Sequence, residues 1–332
     1  MTHEERVKRV VGFGFTHRQA AFLVEVMLHS GFFLGRQYCT FARIARGQKL
    51  VDFLEKLTTR RLATPYLCGH NKARVYHLHS TTLYDAIEQR DVRFRKRMAI
   101  GRALERLMIL DHVITHREFR WLGSEQDKVA HFLTTTSLDR DALPRLAFGV
   151  KPNITVRHFP DKLPIGISPD GRTHAFLYLL VSPLPHDFRV FLRRHAELLR
   201  ALPAWSIQLL VPVEQTDSEG RAQDLADHYE TAFRHELGSP LDPVTANELR
   251  WFWEASTLAS AGEDKRMRRA RRIFGTPRFR ALRRALELDG ERAVDVAMSR
   301  SLADAIERRE GRFERHEMRR QYFRLSHLVG TA

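Results

Sequence analysis

Asp170 sits in the segment Ser168-Pro169-Asp170-Gly171, just ahead of the apolar run Ala175–Val181 (AFLYLLV). A metal-dependent nuclease core needs a carboxylate after such a turn, then an acid and a lysine one residue apart on the next strand. The acids would hold a divalent cation, and the lysine would stabilise charge or orient water. Residues 175–181 contain neither acid nor lysine, and Asp161, Lys162 and Asp187 lack the spacing that puts two ligands on one strand face. Asp170 therefore reads as a turn residue. Cys39, Cys68 and His70 could supply three zinc ligands, but no fourth has recognisable spacing. His112/His116 and His186/His195 are not paired with an acid or cysteine at a useful interval, and Tyr178 and Tyr322, which could nick a strand, are indistinguishable from packing residues. The chain has no Gly-Lys-Ser/Thr phosphate loop, no His-Glu-x-x-His and no Gly-x-Ser-x-Gly elbow. The expectation is a protein without catalytic residues, metal or cofactor. A divergent nuclease using Asp170 with carboxylates from elsewhere is the enzymatic alternative.

Charge points elsewhere. The 332 residues hold 55 Lys+Arg against 40 Asp+Glu, a formal net charge of +15. Residues 1–100 carry +10 and residues 261–332 carry +8, around a middle of −3. Such ends attract a polyanion, with nucleic acid ahead of a membrane surface. The candidate contacts fall in four groups. Gln48, Lys49, Asp52, Lys56 and Arg60 lie along one proposed helix, and His70, Lys72 and Arg74 on a proposed hairpin. Arg95 and Lys96 belong to the basic cluster Arg93–Arg97. Arg268, Arg269 and Arg272 lie in the run KRMRRARR at 265–272.

The elements that would position them come early. Thr16–His29 has a plausible N-cap in Thr16 and apolar residues Ala20, Leu23, Val24, Met27 and Leu28 at helical spacing. A second short helix fits Gly35–Ile44. Gly47 then leads to Gln48–Arg60, where Leu50, Val51, Leu54 and Leu57 can face inward and Gln48, Lys49, Asp52, Glu55, Lys56 and Arg60 outward. Two extended pieces, Leu62–Cys68 and Arg74–His79, flank the polar tip at residues 69–73. That succession predicts a winged helix-turn-helix, with a helix for the major groove and a basic hairpin for phosphates or the minor groove. Residues 1–15, broken by Gly12 and Gly14, read as a basic arm.

Farther on, Thr81–Arg90 and Val92–Leu110 read as helices, and Thr115–Phe132 as an amphipathic segment. Short extended runs then appear at Leu146–Val150, Thr155–Phe159 and Leu163–Ile167, followed by Ala175–Val181. Helix Asp187–Leu202 and the run Trp205–Val213 come next, an order that predicts a mixed α/β sheet partly covered by helices. Gln215–Asp224 reads as a surface loop, and Leu225–His235 as a helix. The basic tail from Gly262 reads as helical, with Val294–Arg308 and Arg315–Val329 as its last segments. Trp251 and Trp253 cannot both face inward on one regular helix. The two cysteines give no disulfide framework and suggest a reducing compartment. With no leader-like or membrane-length apolar run, a cytoplasmic, nucleoid-associated protein is expected.

The stretches FTHRQAAFLVEVMLHSGFFLGRQYCTF, KLVDFLEKLTTRRLATPYLCGHNKARVYHLH, LPIGISPDGRTHAFLYLLVS and HAELLRALPAWSIQLLVPV resemble the replication-relaxation proteins of plasmids and integrative elements, over about residues 14–213. The resemblance implies an N-terminal winged helix joined to a domain resembling a restriction-endonuclease-like core. Tyr178, Leu179 and Leu180 stand where an intact core would carry an acid, which implies a degenerate, non-cleaving scaffold. The expected class is α+β. Its expected parts are a winged helix-turn-helix at 1–90, a helical connector at 91–145, a mixed α/β domain at 146–237 and a helical basic region at 238–332. The function implied is a sequence-specific transcriptional regulator of a mobile genetic element, binding double-stranded DNA as a homodimer. The alternative is an accessory factor in plasmid replication or conjugation with a protein partner from that machinery.

Overall fold

The computed structural model describes residues 1–68, 73–149, 153–212, 221–257 and 265–318, with Arg320, Tyr322 and Leu325. Two compact units divide the chain. The first holds residues 1–124 and the last segment from Glu317, and the second holds Glu125–Val211 and Gln215–His316. Both mix helices and strands, and no described helix is long and apolar enough to cross a membrane.

The first unit begins with a helix, not an arm. α1 (His3–Val11) is closed by a capping box between Thr2 and Glu5, and Val7 and Val10 are buried. α2 (His17–His29) repeats the device with Thr16 and Gln19. Each box satisfies amide donors that a helix start leaves open. Then come β1 (Phe32–Leu34), α3 (Gly35–Ala42), α4 (Gln48–Thr59), β2 (Ala63–Leu67) and β3 (Arg74–Leu78). β3 is the centre of an antiparallel three-stranded sheet in the order β1-β3-β2, with Phe32 opposite His77 and Ala63 opposite Leu78. Pro65 lies on the edge strand β2, where a missing amide costs no ladder bond to a further strand.

The core under this sheet is aromatic. Phe22, Phe33, Tyr38 and Phe53 pack together with Leu23, Leu57 and Leu78. Gly31 turns the chain into β1 at φ +77°, and a Cβ there would run into the Phe94 carbonyl. α5 (Thr81–Ala86) is shorter than expected. The helix expected from Val92 starts only at α6 (Ile100–Thr115), because Arg93–Arg95 forms a 3-10 turn around buried Phe94. β4 (Arg120–Leu122) is this unit's last strand. Arg36 of α3 grips Asp111 of α6 through two bonds of 2.8 and 2.6 Å, and the Tyr322 hydroxyl donates to the same carboxylate.

In the second unit α7 (Glu125–Thr135) precedes a two-stranded hairpin, β5 (Arg145–Phe148) with β6 (Thr155–His158). β7 (Ile165–Ile167) pairs antiparallel with β8 (Thr173–Leu179). α8 (His186–Ala201) crosses over to β9 (Ala204–Pro212), which runs parallel to β8 with Phe176 opposite Ile207. β8 and β9 are buried almost throughout, as strands covered on both faces must be. α9 (Arg221–Leu237) follows, then α10 (Pro243–Thr257), α11 (Lys265–Phe274), α12 (Pro277–Asp289), α13 (Glu291–Met298) and α14 (Ser301–Glu307).

The last element corrects the expectation of a helical end. β10 (Gly311–Met318) is a strand, and the sheet order of this unit's strands is β10-β9-β8-β7. Residues 315–318 therefore belong to a strand and not to a helix. The remainder of that expected segment, apart from Arg320, Tyr322 and Leu325, lies outside the described residues, as do residues 215–220 of the expected surface loop. Both tryptophans of α10 are half-buried, and each ring is covered by an arginine: Arg266 at 3.7 Å from Trp251 and Arg283 at 4.9 Å from Trp253. Cation–π cover lets two residues on different helix faces both leave water.

Candidate nucleic-acid interface

α4 is rooted by Phe53 and Leu57, both wholly buried, with Leu50 and Leu54 half-buried beside them. These four recur at helical spacing and define one inward stripe. Val51, expected inward, is 42% exposed and stands on the opposite face with Gln48, Lys49, Asp52 and Glu55. Gln48 Nε2 donates to Asp52 Oδ1 at 2.6 Å, which fixes both side chains along the helix surface. The outward strip near the helix start is therefore one amide, one ammonium, one carboxylate and one branched apolar group.

Lys56 and Arg60 do not belong to that strip. Lys56 is half-buried, donates from Nζ to the Gly14 carbonyl and lies 5.1 Å from the Phe15 ring centre. Arg60 donates from Nη1 to the Phe13 carbonyl at 2.6 Å, with its guanidinium 5.7 Å from the same ring. Both cations bind the end of α4 to the α1–α2 connection. The helical period puts them outward, but it cannot reveal a pair of carbonyls more than forty residues away.

Arg43 and Arg46 in the α3–α4 connection are exposed and were not among the expected contacts. Arg43 closes α3 in a left-handed conformation, φ 53°. With Lys49 they put three cations in seven residues (RIARGQK) around the start of α4, where the helix dipole also favours an anion. That local density is the sequence signal that could have found them. Arg74 at the start of β3 is exposed, while His70 and Lys72 lie outside the described residues.

Arg95 is tied to its own neighbourhood by two hydrogen bonds. It is half-buried, with Nε on the Arg90 carbonyl at 2.9 Å and Nη1 on the Thr81 hydroxyl at 3.2 Å. Lys96 is exposed. In the second unit, α11 buries Met267, Ala270 and Phe274 and exposes Arg268, Arg269 and Arg272. The two cysteine thiols are buried, and burial pushes both pKa values up.

Asp170 closes its own turn. Its Oδ1 accepts from the Ser168 hydroxyl at 2.5 Å and from the Arg172 amide at 3.0 Å, beside Gly171 at φ +73°. The hydroxyl first, and then the amide, hold this carboxyl below its ordinary range. Asp161, which lies close to that turn in sequence, accepts two bonds from Arg194 Nη1 at 2.8 and 2.9 Å. No family model, curated protein or solved structure matches the chain.

Proposed function

We propose that the chain is a sequence-specific, non-catalytic binder of duplex DNA, a transcriptional regulator of a mobile genetic element. One observation carries this reading. α4 is anchored from below by Phe53 and Leu57, leaving Gln48, Lys49, Val51 and Asp52 facing solvent on a single strip. Its setting in the order α2-β1-α3-α4-β2-β3, with β3 central in the sheet, fits a winged helix-turn-helix. In the major groove, Gln48 and Lys49 have the donors for base edges, and Val51 offers an apolar contact for a thymine methyl. Asp52 is an acceptor for a cytosine amino group. Arg43, Arg46 and Arg74 would hold phosphates, which fixes position without reading sequence. In the second unit, Arg268, Arg269 and Arg272 offer a further phosphate contact. The second unit's sheet fits a degenerate endonuclease-like scaffold, since β8 carries no acid and Asp170 is committed to its turn. Residence on a plasmid or integrative element follows from the resemblance of residues 14–213 to replication-relaxation proteins.

Selection from a pool of random duplexes with the purified full chain tests the proposal. A compact palindrome is expected, as a two-fold dimer would read it. A pool that stays random after repeated rounds overturns it. Metal-dependent cutting of plasmid DNA that disappears in Asp170→Ala would overturn its non-catalytic half.

A further inference from the structure

α8, α12 and α13 of the second unit wall a shallow, solvent-open cleft that encloses about 30 Å³. Four arginines line it, Arg193 and Arg194 from α8, Arg292 from α13 and Arg145 from β5, against the two carboxylates Glu197 and Asp289. Arg145 divides its two Nη groups between Asp141 at 2.8 Å and Asp289 at 3.3 Å. Arg292 donates from Nε to Glu197 at 2.5 Å. Arg194 uses Nη1 alone, for both oxygens of Asp161.

Arg193 differs from the other three. Its side chain is only 5% exposed, and its Nε donates to Glu236 at 2.5 Å. Glu236 is fully buried and also takes Arg189 at 2.7 Å, so one carboxylate serves two guanidinium groups. Among the described residues no acceptor meets Nη1 or Nη2 of Arg193, and neither atom is sealed from solvent. A nearly buried cation thus keeps two open donors at a cleft where Arg194 keeps Nε and Nη2 open. Burial raises the pKa of Glu197 even beside Arg292, so negative charge on the wall itself is held at a cost.

We propose that this cleft binds a small oxyanion, inorganic phosphate or the phosphate head of a monoester whose remainder stays in solvent, seated on Arg193 and Arg194. Guanidinium forks match the paired oxygens of a phosphate, and two of them suit a dianion better than a single carboxylate. The same chemistry is found in a nucleic-acid backbone. Helices on three sides leave room for a phosphate group and none for a continuous duplex, so a small free anion is the occupant.

Titration calorimetry on the full chain tests this with inorganic phosphate and β-glycerophosphate, at constant ionic strength with chloride as the control. One-site binding is expected with a Kd below about 1 mM, undisturbed by a 20-base-pair duplex. Arg194→Gln should weaken it tenfold or more with an unchanged melting curve, and Arg193→Lys should do the same while keeping a cation beside Glu236. Should Arg193→Lys fail to fold, Arg194→Gln decides alone. No saturable heat, wild-type binding by Arg194→Gln, or displacement of phosphate by the duplex overturns the proposal.

Discussion

Arg60 and Phe13 are joined by a hydrogen bond of 2.6 Å from the guanidinium Nη1 to the main-chain carbonyl, across 47 residues of sequence. It ties the last turn of α4 to the α1–α2 connection, and Lys56 does the same one turn earlier through Gly14. These two cations orient the helix, Lys56 half-buried and Arg60 exposed. Arg60→Ala and Lys56→Ala should each lower stability by about 1 kcal/mol, the scale of one charged hydrogen bond partly screened by water. Both variants should keep wild-type discrimination between DNA sequences. Chemical denaturation alongside binding isotherms checks the pair of statements.

Arg74 is predicted to act on phosphate alone. Arg74→Ala should weaken binding to specific and random duplexes by the same factor. It should also reduce the slope of log K against log salt by about one. Isotherms at four salt concentrations measure this, and a loss confined to the specific site would assign Arg74 to a base.

Among the described residues, Glu236 is the one carboxylate paired with Arg189 and Arg193, and its side chain is wholly buried. Replacing it with glutamine leaves two largely buried guanidinium groups without a counter-charge. Glu236→Gln should cost about 3 kcal/mol. A urea midpoint within error of wild type would show that water already reaches the pair.

Acid should destabilise both units. Burial, above all, pushes His77 and His195 down to about 4 from an ordinary 6.5. Each ring donates to a carbonyl: His77 Nε2 to Phe94 at 3.1 Å and His195 Nδ1 to Phe191 at 2.8 Å. The unfolded chain takes up protons at these rings near pH 6.5, before the native state does. Their contribution is therefore complete above 6.5 and is lost as pH falls toward 4, about 3 kcal/mol for each at full effect. His77→Asn and His195→Asn should flatten that slope in melting curves taken between pH 7 and 4.

Local signals in the chain foretold local structure well. Thr16 as a cap, the apolar period of α2, and the alternation of strand, helix and strand across β8, α8 and β9 all act within a few residues. Misses came where distant partners decide. Arg60 and Lys56 bond back onto the chain because carbonyls of residues 13 and 14 are in reach. Gly311–Met318 (GRFERHEM) has charges that suit a helix, yet becomes a strand because β9 supplies an edge to pair with. The break after Val92 follows from Phe94 seeking the core. α1 was legible after all, since Thr2 and Glu5 spell a capping box. Gly12 and Gly14, which end it, disguised it as an arm.

The claim that the open strip of α4 reads a duplex is tested most directly by the ratio of affinities for the selected site and for random DNA, measured for wild type, Gln48→Ala and Lys49→Ala at one salt concentration. A tenfold or larger fall in that ratio in each variant, about 1.4 kcal/mol, is predicted, with affinity for random DNA changed much less. An unchanged ratio, or an equal loss on both kinds of DNA, would contradict it.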